Sequence, residues 1–222
     1  MPAGHRAVIF DMDGVLIDSR DAHYESWRVT GLKRDIAISY DLFMKGFGRT
    51  NLEIIPMYGG GHLSLQEMID WGEEKEDVFG VELRKNFPEM RGISDLIKDF
   101  HESGWLMAIA SSGYRRNVTI TRECLCEGWR IPSMTTYEDI AKGKPDPEVF
   151  LRAAAACGVA PNRCVVVEDS MAGVQAGKAA NMKVLAITGT TPKETLKAIA
   201  DKVIDSYSEV TAASLAQNFG LR

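Results

Sequence analysis

The 222-residue sequence lacks a long apolar run, an excess of basic residues and any internal repeat or low-complexity tract. Because a helix that spans a bilayer needs about 20 consecutive apolar residues, we expect no membrane segment. A formal net charge of -5 argues against a general grip on nucleic acid, which requires clustered Lys and Arg. The remaining class is a soluble globular protein, for which 45% hydrophobic and 26% charged residues are ordinary.

Cysteine is also scarce, and its positions match no zinc-binding spacing. The four residues are Cys124, Cys126, Cys157 and Cys164. The first two resemble half of a metal site, but no partner pair follows them. We therefore expect reduced, packed thiols and a cytoplasmic location. The few residues before the first apolar run leave no room for a signal peptide, which agrees with that location.

The sequence does contain strand and helix patterns in a distinct order. Ala7 to Phe10 is a short apolar run typical of a buried strand. Residues 20–87 are mainly helical in pattern, and from Arg91 onward apolar strands alternate with amphipathic helices. This alternation predicts a parallel sheet covered on both faces. The predicted fold class is α/β, with a Rossmann-like, doubly wound parallel sheet core at 1–17 and 89–222 and a small inserted helical domain at 18–88.

Two acidic residues follow the first predicted strand directly. Asp11 and Asp13 come after Phe10, and side-chain alternation along an extended strand places both on one face. Crowded carboxylates repel each other unless a cation or a shared proton relieves them. Such a pair is unfavourable at a purely structural strand end, and it is useful for metal-assisted chemistry.

Polar residues also follow the later predicted strands, and in open parallel sheets ligands bind beyond the carboxyl ends of strands. These residues are Ser111 with Ser112, Lys144 in the segment Gly-Lys-Pro-Asp-Pro, and Glu168 with Asp169. Each has a plainer explanation: Ser111 as a helix cap, Lys144 as a solvated loop charge, and the two acids as an N-cap pair. Together, acids at two strand ends with no basic neighbour on the chain require a divalent cation. Oxygen-only ligands favour Mg²⁺, which also binds substrate phosphate oxygens.

In chain order, these residues resemble the four motifs of the haloacid dehalogenase superfamily, over almost the entire chain. Asp11-Met-Asp13-Gly resembles the first motif and Ser111 the second. Lys144 resembles the third, and Glu168-Asp169 resembles the fourth. A single short motif recurs by chance, whereas four in order, each at a strand end, are specific.

The resemblance implies a role for each motif residue. Asp11 would attack phosphorus to form an aspartyl-phosphate. Asp13 would protonate the leaving oxygen and then activate the incoming water or hydroxyl. Mg²⁺ would bind Asp11, the backbone carbonyl of Asp13 and Asp169, with Glu168 binding directly or through water. The phosphoryl oxygens would be held by Ser111 and Lys144.

The helical insert resembles the small cap domain of this superfamily, and the nearest subfamily is the beta-phosphoglucomutase-like group. Caps close over the site and exclude water. His23 and the segment Lys45-Gly46-Phe-Gly-Arg49 match cap positions, where the lysine and arginine face substrate phosphate and the histidine supports closure. The plainer alternatives are a satisfied helix histidine and two solvated charges, but the flanking glycines favour a shaped loop. The substrate-binding candidates are His23, Lys45, Gly46, Arg49, Ser112 and Arg115. The expected hinges are Ile17-Asp18 and Pro88-Glu89.

Three functions follow from the resemblance. The preferred one is an Mg²⁺-dependent phosphatase of a small phosphorylated metabolite, a sugar phosphate. The alternative is a beta-phosphoglucomutase, which shares every core residue and differs in whether water reaches the aspartyl-phosphate. The segment after Ser111, Ser-Gly-Tyr-Arg-Arg, differs from the polar segment expected of a mutase that holds a distal phosphate, with Arg115 or Arg116 left as alternative residues for that role. The third is a catalytically silent binding protein, against which the intact motifs argue. We expect a monomer or weak dimer with a small phosphorylated substrate and no nucleic-acid or membrane partner.

Overall fold

The structure is a computed structural model that describes residues 5–221. Its strands are β1 (Ala7–Phe10), β2 (Leu106–Ala110), β3 (Ser133–Thr135), β4 (Cys164–Glu168), β5 (Lys183–Ile187) and β6 (Lys202–Ile204). They form one sheet in the order β3-β2-β1-β4-β5-β6, and every neighbouring pair is parallel. This arrangement, with its flanking helices, confirms the predicted α/β, Rossmann-like fold class.

Helices precede, follow and connect the strands. They are α1 (Arg20–Leu32), α2 (Tyr40–Gly46), α3 (Asn51–Ile55), α4 (Leu65–Lys85), α5 (Ile93–Glu102), α6 (Arg115–Cys124), α7 (Glu148–Cys157), α8 (Met171–Ala179), α9 (Lys193–Lys197) and α10 (Ala212–Asn218). The helix α3 ends at Ile55, because Pro56 begins a turn of π-helix. None of the helices in residues 5–221 is long and apolar enough to cross a membrane.

The chain divides into two compact units, one made of the residues up to Asp18 and from Pro88 onward, the other of Ser19–Phe87. We call them the α/β unit and the helical unit. The two connections meet inside the α/β unit, where the Asp18 N–H donates to the Pro88 carbonyl at 2.8 Å. Ile17 and Glu89 form an antiparallel bridge beside this bond. That these connections act as hinges stays a prediction.

The centre of the sheet is covered on both faces. All four residues of β1 are completely buried. The last four residues of β2 are also buried, with only 1% of Met107 exposed. Strands buried on both faces are near-continuous apolar runs, which explains why β1, β2 and β4 are recognisable in the sequence. The strand order reverses beside β1, with β2 on one side and β4 on the other. In open parallel sheets, ligands bind at this reversal, beyond the carboxyl ends of the strands.

The helical unit has an aromatic core of its own. Its buried cluster contains Trp27, Ile38, Phe43, Ile54, Ile55, Tyr58 and Trp71. Two buried polar groups of this cluster have partners: the Trp71 Nε1–H donates to the Thr30 hydroxyl at 2.9 Å, and the Tyr58 hydroxyl donates to the Phe43 carbonyl at 2.8 Å. A capping box at Ser64 and Glu67 begins α4, as each side chain accepts a hydrogen bond from the backbone N–H of the other residue.

Two elements and two thiols differ from expectation. The sequence analysis missed β3 and α10, because β3 is a short edge strand with only Ser-Met-Thr and α10 is a single short helix. All four cysteines are free, as predicted. The expectation of packed thiols is wrong for Cys124 and Cys126, which are exposed because α6 ends at Cys124.

Candidate active site

Three buried carboxylates converge beyond the carboxyl ends of β1 and β4. Asp11 follows β1, and its N–H donates to the Val167 carbonyl at 3.0 Å, which continues the pairing of the two strands. Glu168 ends β4 and Asp169 follows it. One carboxylate oxygen from each of these acids lies within 4.8 Å of the others. The structure therefore brings together acids that are more than 150 residues apart in the chain.

Lys144 joins the strand ends through its ammonium group. Its Nζ donates to Asp11 Oδ1 at 2.5 Å and to Glu168 Oε1 at 2.7 Å. Burial opposes the charge, but the carboxylates of Asp11 and Glu168 raise the pKa of Lys144 well above its usual range. Lys144 is therefore a buried cation held between two acids, and the alternative of a solvated loop charge is excluded.

Glu168 is fixed in place by both of its oxygens. While Oε1 accepts from Lys144, Oε2 accepts from the backbone N–H groups of Asp169 and Ser170, each at 2.8 Å. The N-cap of α8 is Ser170, whose hydroxyl accepts from the Gly173 N–H at 3.0 Å. A Cβ at Gly173 would lie 1.7 Å from Glu168 Oε1, so this position needs glycine. The N-cap alternative for the two acids is thus wrong.

One oxygen of the Asp169 carboxylate has unused capacity to accept a hydrogen bond or to bind a cation. Its Oδ2 is buried and has no hydrogen-bond partner among residues 5–221. A Cβ at Gly14, whose φ is 75°, would lie 2.0 Å from that oxygen. Burial and the neighbouring Glu168 carboxylate raise the pKa of Asp169 to about 7, although the Thr190 side chain donates a hydrogen bond to it. An ionised Asp169 therefore needs a cationic partner.

Asp11 also lies among more negative than positive charges. Burial raises the pKa of Asp11 well above its usual value, and the carboxylates of Glu168, Asp13 and Asp169 add to this effect. Lys144 opposes the shift and does not cancel it. A buried group of oxygen donors with more negative than positive charge fits a divalent cation. Asp11, Glu168 and Asp169 are the residues that could hold one.

Asp13 lies in a sharp turn after Asp11. The turn is closed by hydrogen bonds from the Gly14 N–H to the Ile17 carbonyl and from the Leu16 N–H to the Met12 carbonyl, both 2.8 Å long. Asp13 is half-buried, and its charge acts on both Asp11 and Asp169. The turn, rather than a continued strand, therefore places this carboxylate beside the cluster.

Ser111 follows β2 at the same edge of the sheet. Its N–H donates to the Thr135 carbonyl at 3.0 Å, and its hydroxyl accepts from the Gly113 N–H at 2.9 Å. Because α6 begins only at Arg115, Ser111 closes a local turn and caps no helix. The side chain of Ser111 is buried, whereas Ser112 is exposed.

Arg115 has partners of its own. Its guanidinium lies 2.5 Å from Asp139 Oδ1, and its backbone N–H donates to the Glu138 carboxylate at 3.0 Å. Both acids lie in the 3₁₀ turn Tyr137–Asp139. An arginine held this way has fewer donors left for a substrate, and its predicted role in binding stays a prediction.

The candidates in the helical unit have different surroundings. The His23 ring stacks on Phe79 with centroids 3.9 Å apart, and its Nδ1 lies 2.8 Å from Lys75 Nζ. Lys45 and Arg49 are exposed and form no ion pair within 4.0 Å in the part of the chain that the structure describes. A Cβ at Gly46 would lie 2.7 Å from the Tyr58 hydroxyl oxygen, so Gly46 is required by packing.

The sequence analysis missed a buried ion pair in the helical unit. Lys75 is 2% exposed, and its Nζ donates to Glu76 Oε1 at 2.9 Å. The Asn51 amide donates to the same oxygen at 3.0 Å. The signal was present, because Lys75 lies four residues from both Trp71 and Phe79 on the apolar stripe of α4. Two further residues near the acids, Thr190 and Tyr207, gave no signal.

A model of the haloacid dehalogenase-like hydrolases matches residues 5–181. The chain belongs to this family. Among its relatives, the beta-phosphoglucomutase of Bacillus subtilis is 30% identical over 222 residues, which cover 96% of this chain and 95% of that protein. The phosphorylated carbohydrates phosphatase of Thermotoga maritima is 30% identical over 182 residues, which cover 80% and 82%.

The fold of the family is shared in full. A solved hydrolase of this family from Entamoeba histolytica superposes with a TM-score of 0.86 at 24% identity, covering 97% of this chain and 99% of that one. The resemblance to the beta-phosphoglucomutase-like subfamily is confirmed. As a member of this hydrolase family the protein is an enzyme, and the family includes both phosphatases and phosphomutases.

Proposed function

We propose that this enzyme is an Mg²⁺-dependent phosphatase that hydrolyses a small phosphorylated carbohydrate through an aspartyl-phosphate. The observation that carries the proposal is the position of Lys144, which donates to both Asp11 and Glu168 inside a buried acidic cluster. Phosphoryl transfer depends mainly on positioning and on charge neutralisation. A buried carboxylate beside a fixed ammonium and three other acids supplies both.

In the first step, an oxygen of Asp11 bonds to phosphorus and the bond from phosphorus to the leaving oxygen breaks. Asp13 transfers its proton to that leaving oxygen, so that a neutral alcohol departs. Ser111 and Lys144 hold the phosphoryl oxygens. The buried position of Ser111 at the end of β2 supports this role.

In the second step, Asp13 is a carboxylate and takes a proton from water. The water oxygen bonds to phosphorus, and the bond between phosphorus and Asp11 breaks. Inorganic phosphate and the free Asp11 carboxylate are the products. The Asp13 proton given up in the first step is thus recovered in the second.

The cation would be held by Asp11, Asp169 and the backbone carbonyl of Asp13, with Glu168 directly or through water. When bound, Mg²⁺ neutralises charge on the phosphoryl oxygens. The buried Asp169 oxygen without a hydrogen-bond partner supports this assignment. Both oxygens of Glu168 already accept hydrogen bonds, which favours contact through water for that residue.

The relatives indicate the substrate class. One is a phosphorylated carbohydrates phosphatase, and another, from Escherichia coli, is hexitol phosphatase A at 27% identity. We propose that Lys45 and Arg49 bind the sugar phosphate, because both are exposed cations without an ion pair in residues 5–221. The other proposed substrate contacts are His23, Gly46, Ser112 and Arg115. Four free thiols support a cytoplasmic location.

The second candidate is a beta-phosphoglucomutase. Identity to the Bacillus subtilis enzyme over 96% of the chain favours it. The pairing of Arg115 with Asp139 argues the other way, because it occupies a cation that a second phosphate would need.

A screen of phosphate esters with Mg²⁺ tests the proposal when phosphate release and isomer formation are both measured. We expect phosphate release from a sugar phosphate, and a fall by a factor of about 10⁴ or more in Asp11→Asn. The variant keeps the size of the side chain and removes its nucleophilic oxygen. Full activity in Asp11→Asn would contradict the mechanism. Interconversion of beta-glucose 1-phosphate and glucose 6-phosphate with a bisphosphate primer, without phosphate release, would instead establish the mutase.

A further inference from the structure

Tyr207 reaches the catalytic edge from the far end of the chain. It lies in the 3₁₀ turn Tyr207–Glu209 after β6, and its side chain is 3% exposed. The phenol hydroxyl donates to the Val15 carbonyl at 2.8 Å, a contact between residues 192 positions apart. Tyr207 also lies beyond residues 5–181, the range that matches the family.

The acceptor of this bond is part of the turn that carries Asp13. Val15 is completely buried, and Tyr207 supplies the one hydrogen bond that its carbonyl receives within residues 5–221. A buried carbonyl without a partner is unfavourable, so the phenol stabilises this conformation of the turn. Two residues earlier stands Asp13, and Gly14 between them has a φ of 75°. The position of Val15 therefore constrains where the Asp13 carboxylate points.

The phenol itself remains a donor and is no source of protons for the reaction. Burial raises the pKa of Tyr207 well above its usual value, and the carboxylates of Asp169 and Asp11 add to the effect. The hydroxyl proton is therefore retained over the working range of the enzyme. Since that proton is engaged with Val15, the contribution of Tyr207 to catalysis acts through the turn.

We infer that Tyr207 is a positioning residue that aligns Asp13 for proton transfer to the leaving oxygen. The inference rests on the proposed function, in which Asp13 is the general acid. The inference predicts different effects of a Tyr207 substitution on two kinds of substrate. A sugar alkoxide needs a proton as it leaves, whereas a nitrophenolate leaves as the anion and needs none.

The test compares wild-type enzyme with Tyr207→Phe on a sugar phosphate and on p-nitrophenyl phosphate. We expect kcat/KM for the sugar phosphate to fall by a factor of about 10 to 100, because misalignment forfeits part of general acid catalysis. We expect kcat/KM for the aryl ester to stay within about twofold. The comparison uses kcat/KM because this quantity covers only the steps up to departure of the leaving group, whereas the later attack of water, in which Asp13 is the base, is common to both substrates.

Tyr58→Phe is the matched control. The Tyr58 hydroxyl is also buried and also donates to a backbone carbonyl, that of Phe43, at 2.8 Å. It lies in the helical unit, so its loss should leave the ratio of sugar phosphate to aryl ester turnover as in the wild type.

A second measurement uses Asp13→Asn, which lacks the general acid. There, Tyr207→Phe should cause no further loss on the sugar phosphate, and this comparison holds even if the phenol also affects folding. The inference would be overturned if Tyr207→Phe lowered activity equally on both substrates or on neither. It would also be overturned if Tyr207→Phe lowered activity on the sugar phosphate by the same factor in the Asp13→Asn background as in the wild type. A wild-type enzyme without phosphatase activity would overturn the proposed function and this inference with it.

Discussion

Each unit of the molecule buries a group of charges, and the two groups are built differently. The acidic cluster of the α/β unit consists of Asp11, Asp13, Glu168 and Asp169 with Lys144. The balanced cluster of the helical unit consists of Lys75 and Glu76 with His23 and Asn51. In the balanced cluster, one ammonium meets one carboxylate, and Asn51 donates to the same carboxylate. In the acidic cluster, the Lys144 ammonium contacts Asp11 and Glu168, and the carboxylates of Asp13 and Asp169 add further negative charge.

The difference shows which buried charges are neutralised by side chains of the protein and which are not. Removing a charge from water is unfavourable unless a partner replaces the lost hydration. Within the balanced cluster, burial opposes ionisation, but the Lys75 ammonium holds the pKa of Glu76 below its usual value. In the acidic cluster, the pKa of Asp169 is instead raised to about 7. A cluster with this imbalance gains stability from a bound cation, which the balanced cluster does not need.

Breaking the balanced cluster should give the largest effect on stability. Lys75→Met leaves Glu76 buried without its counter-ion, and we expect the free energy of unfolding to fall by about 3–5 kcal/mol. Urea denaturation followed by circular dichroism measures the loss. The double variant Lys75→Met/Glu76→Gln removes both charges and should recover much of it. If the free energy of unfolding of the single variant fell by less than about 1 kcal/mol, Lys75 would not be needed to offset the buried charge of Glu76.

Removing an acid from the acidic cluster should have the opposite sign. We expect Asp169→Asn to raise the free energy of unfolding of the metal-free protein by about 1–3 kcal/mol near pH 8, because a crowded charge is lost. The same variant should no longer be stabilised by Mg²⁺. Asp201→Asn is the control, because the Asp201 carboxylate has a counter-ion, with Lys178 Nζ 2.7 Å from its Oδ2. Loss of this carboxylate charge should lower the free energy of unfolding slightly, by at most about 1 kcal/mol. A destabilised Asp169→Asn protein would contradict the imbalance.

The smallest expected effect is a pH-dependent response to Mg²⁺. The folded pKa of Asp169, about 7, lies above its ordinary value of 3.8, so folding favours the protonated form. The stability due to this proton is fully present below about pH 4 and is lost as the pH rises through about 7. Because a metal binds the ionised carboxylate, the rise in Tm with Mg²⁺ should be near zero at about pH 5 and reach a few degrees at about pH 8. Differential scanning fluorimetry measures it, and a shift that is the same at both pH values would refute the assignment.

The parts of the fold that the sequence predicted share one property, which is a local pattern strong enough to survive tertiary context. The strands β1, β2 and β4 are apolar on both faces, and each is followed by a polar motif residue. The edge strand β3 has no such pattern, because it has only three residues, two of which are polar, and it pairs on one side only. The helical character of residues 20–87 was predicted, but the change from α3 to a π-helix at Pro56 was not, because proline is tolerated in the first turn of a helical segment.

For the candidate site, the acids and Ser111 were predictable because they lie at strand ends, and the topology brings strand ends together. Lys144 lies in the segment between β3 and α7, so only its motif made it predictable. What could not be predicted is contact across the chain. The hydrogen bond from Tyr207 to Val15 depends on the path of the C-terminal segment after β6, and no local sequence pattern predicts that path. The burial of Lys75 is a different case, since a charge on an apolar helix stripe is visible in the sequence.

The paired connections between Ile17-Asp18 and Pro88-Glu89 have an evolutionary consequence. The hydrogen bond from Asp18 to Pro88 holds the two ends of the insertion side by side on the α/β unit. A chain whose entry and exit points are adjacent can accept a different insertion, or a short loop, without a change in strand order. The inserted segment is thus an exchangeable module, and natural selection can rebuild it while the phosphoryl-transfer machinery is inherited intact.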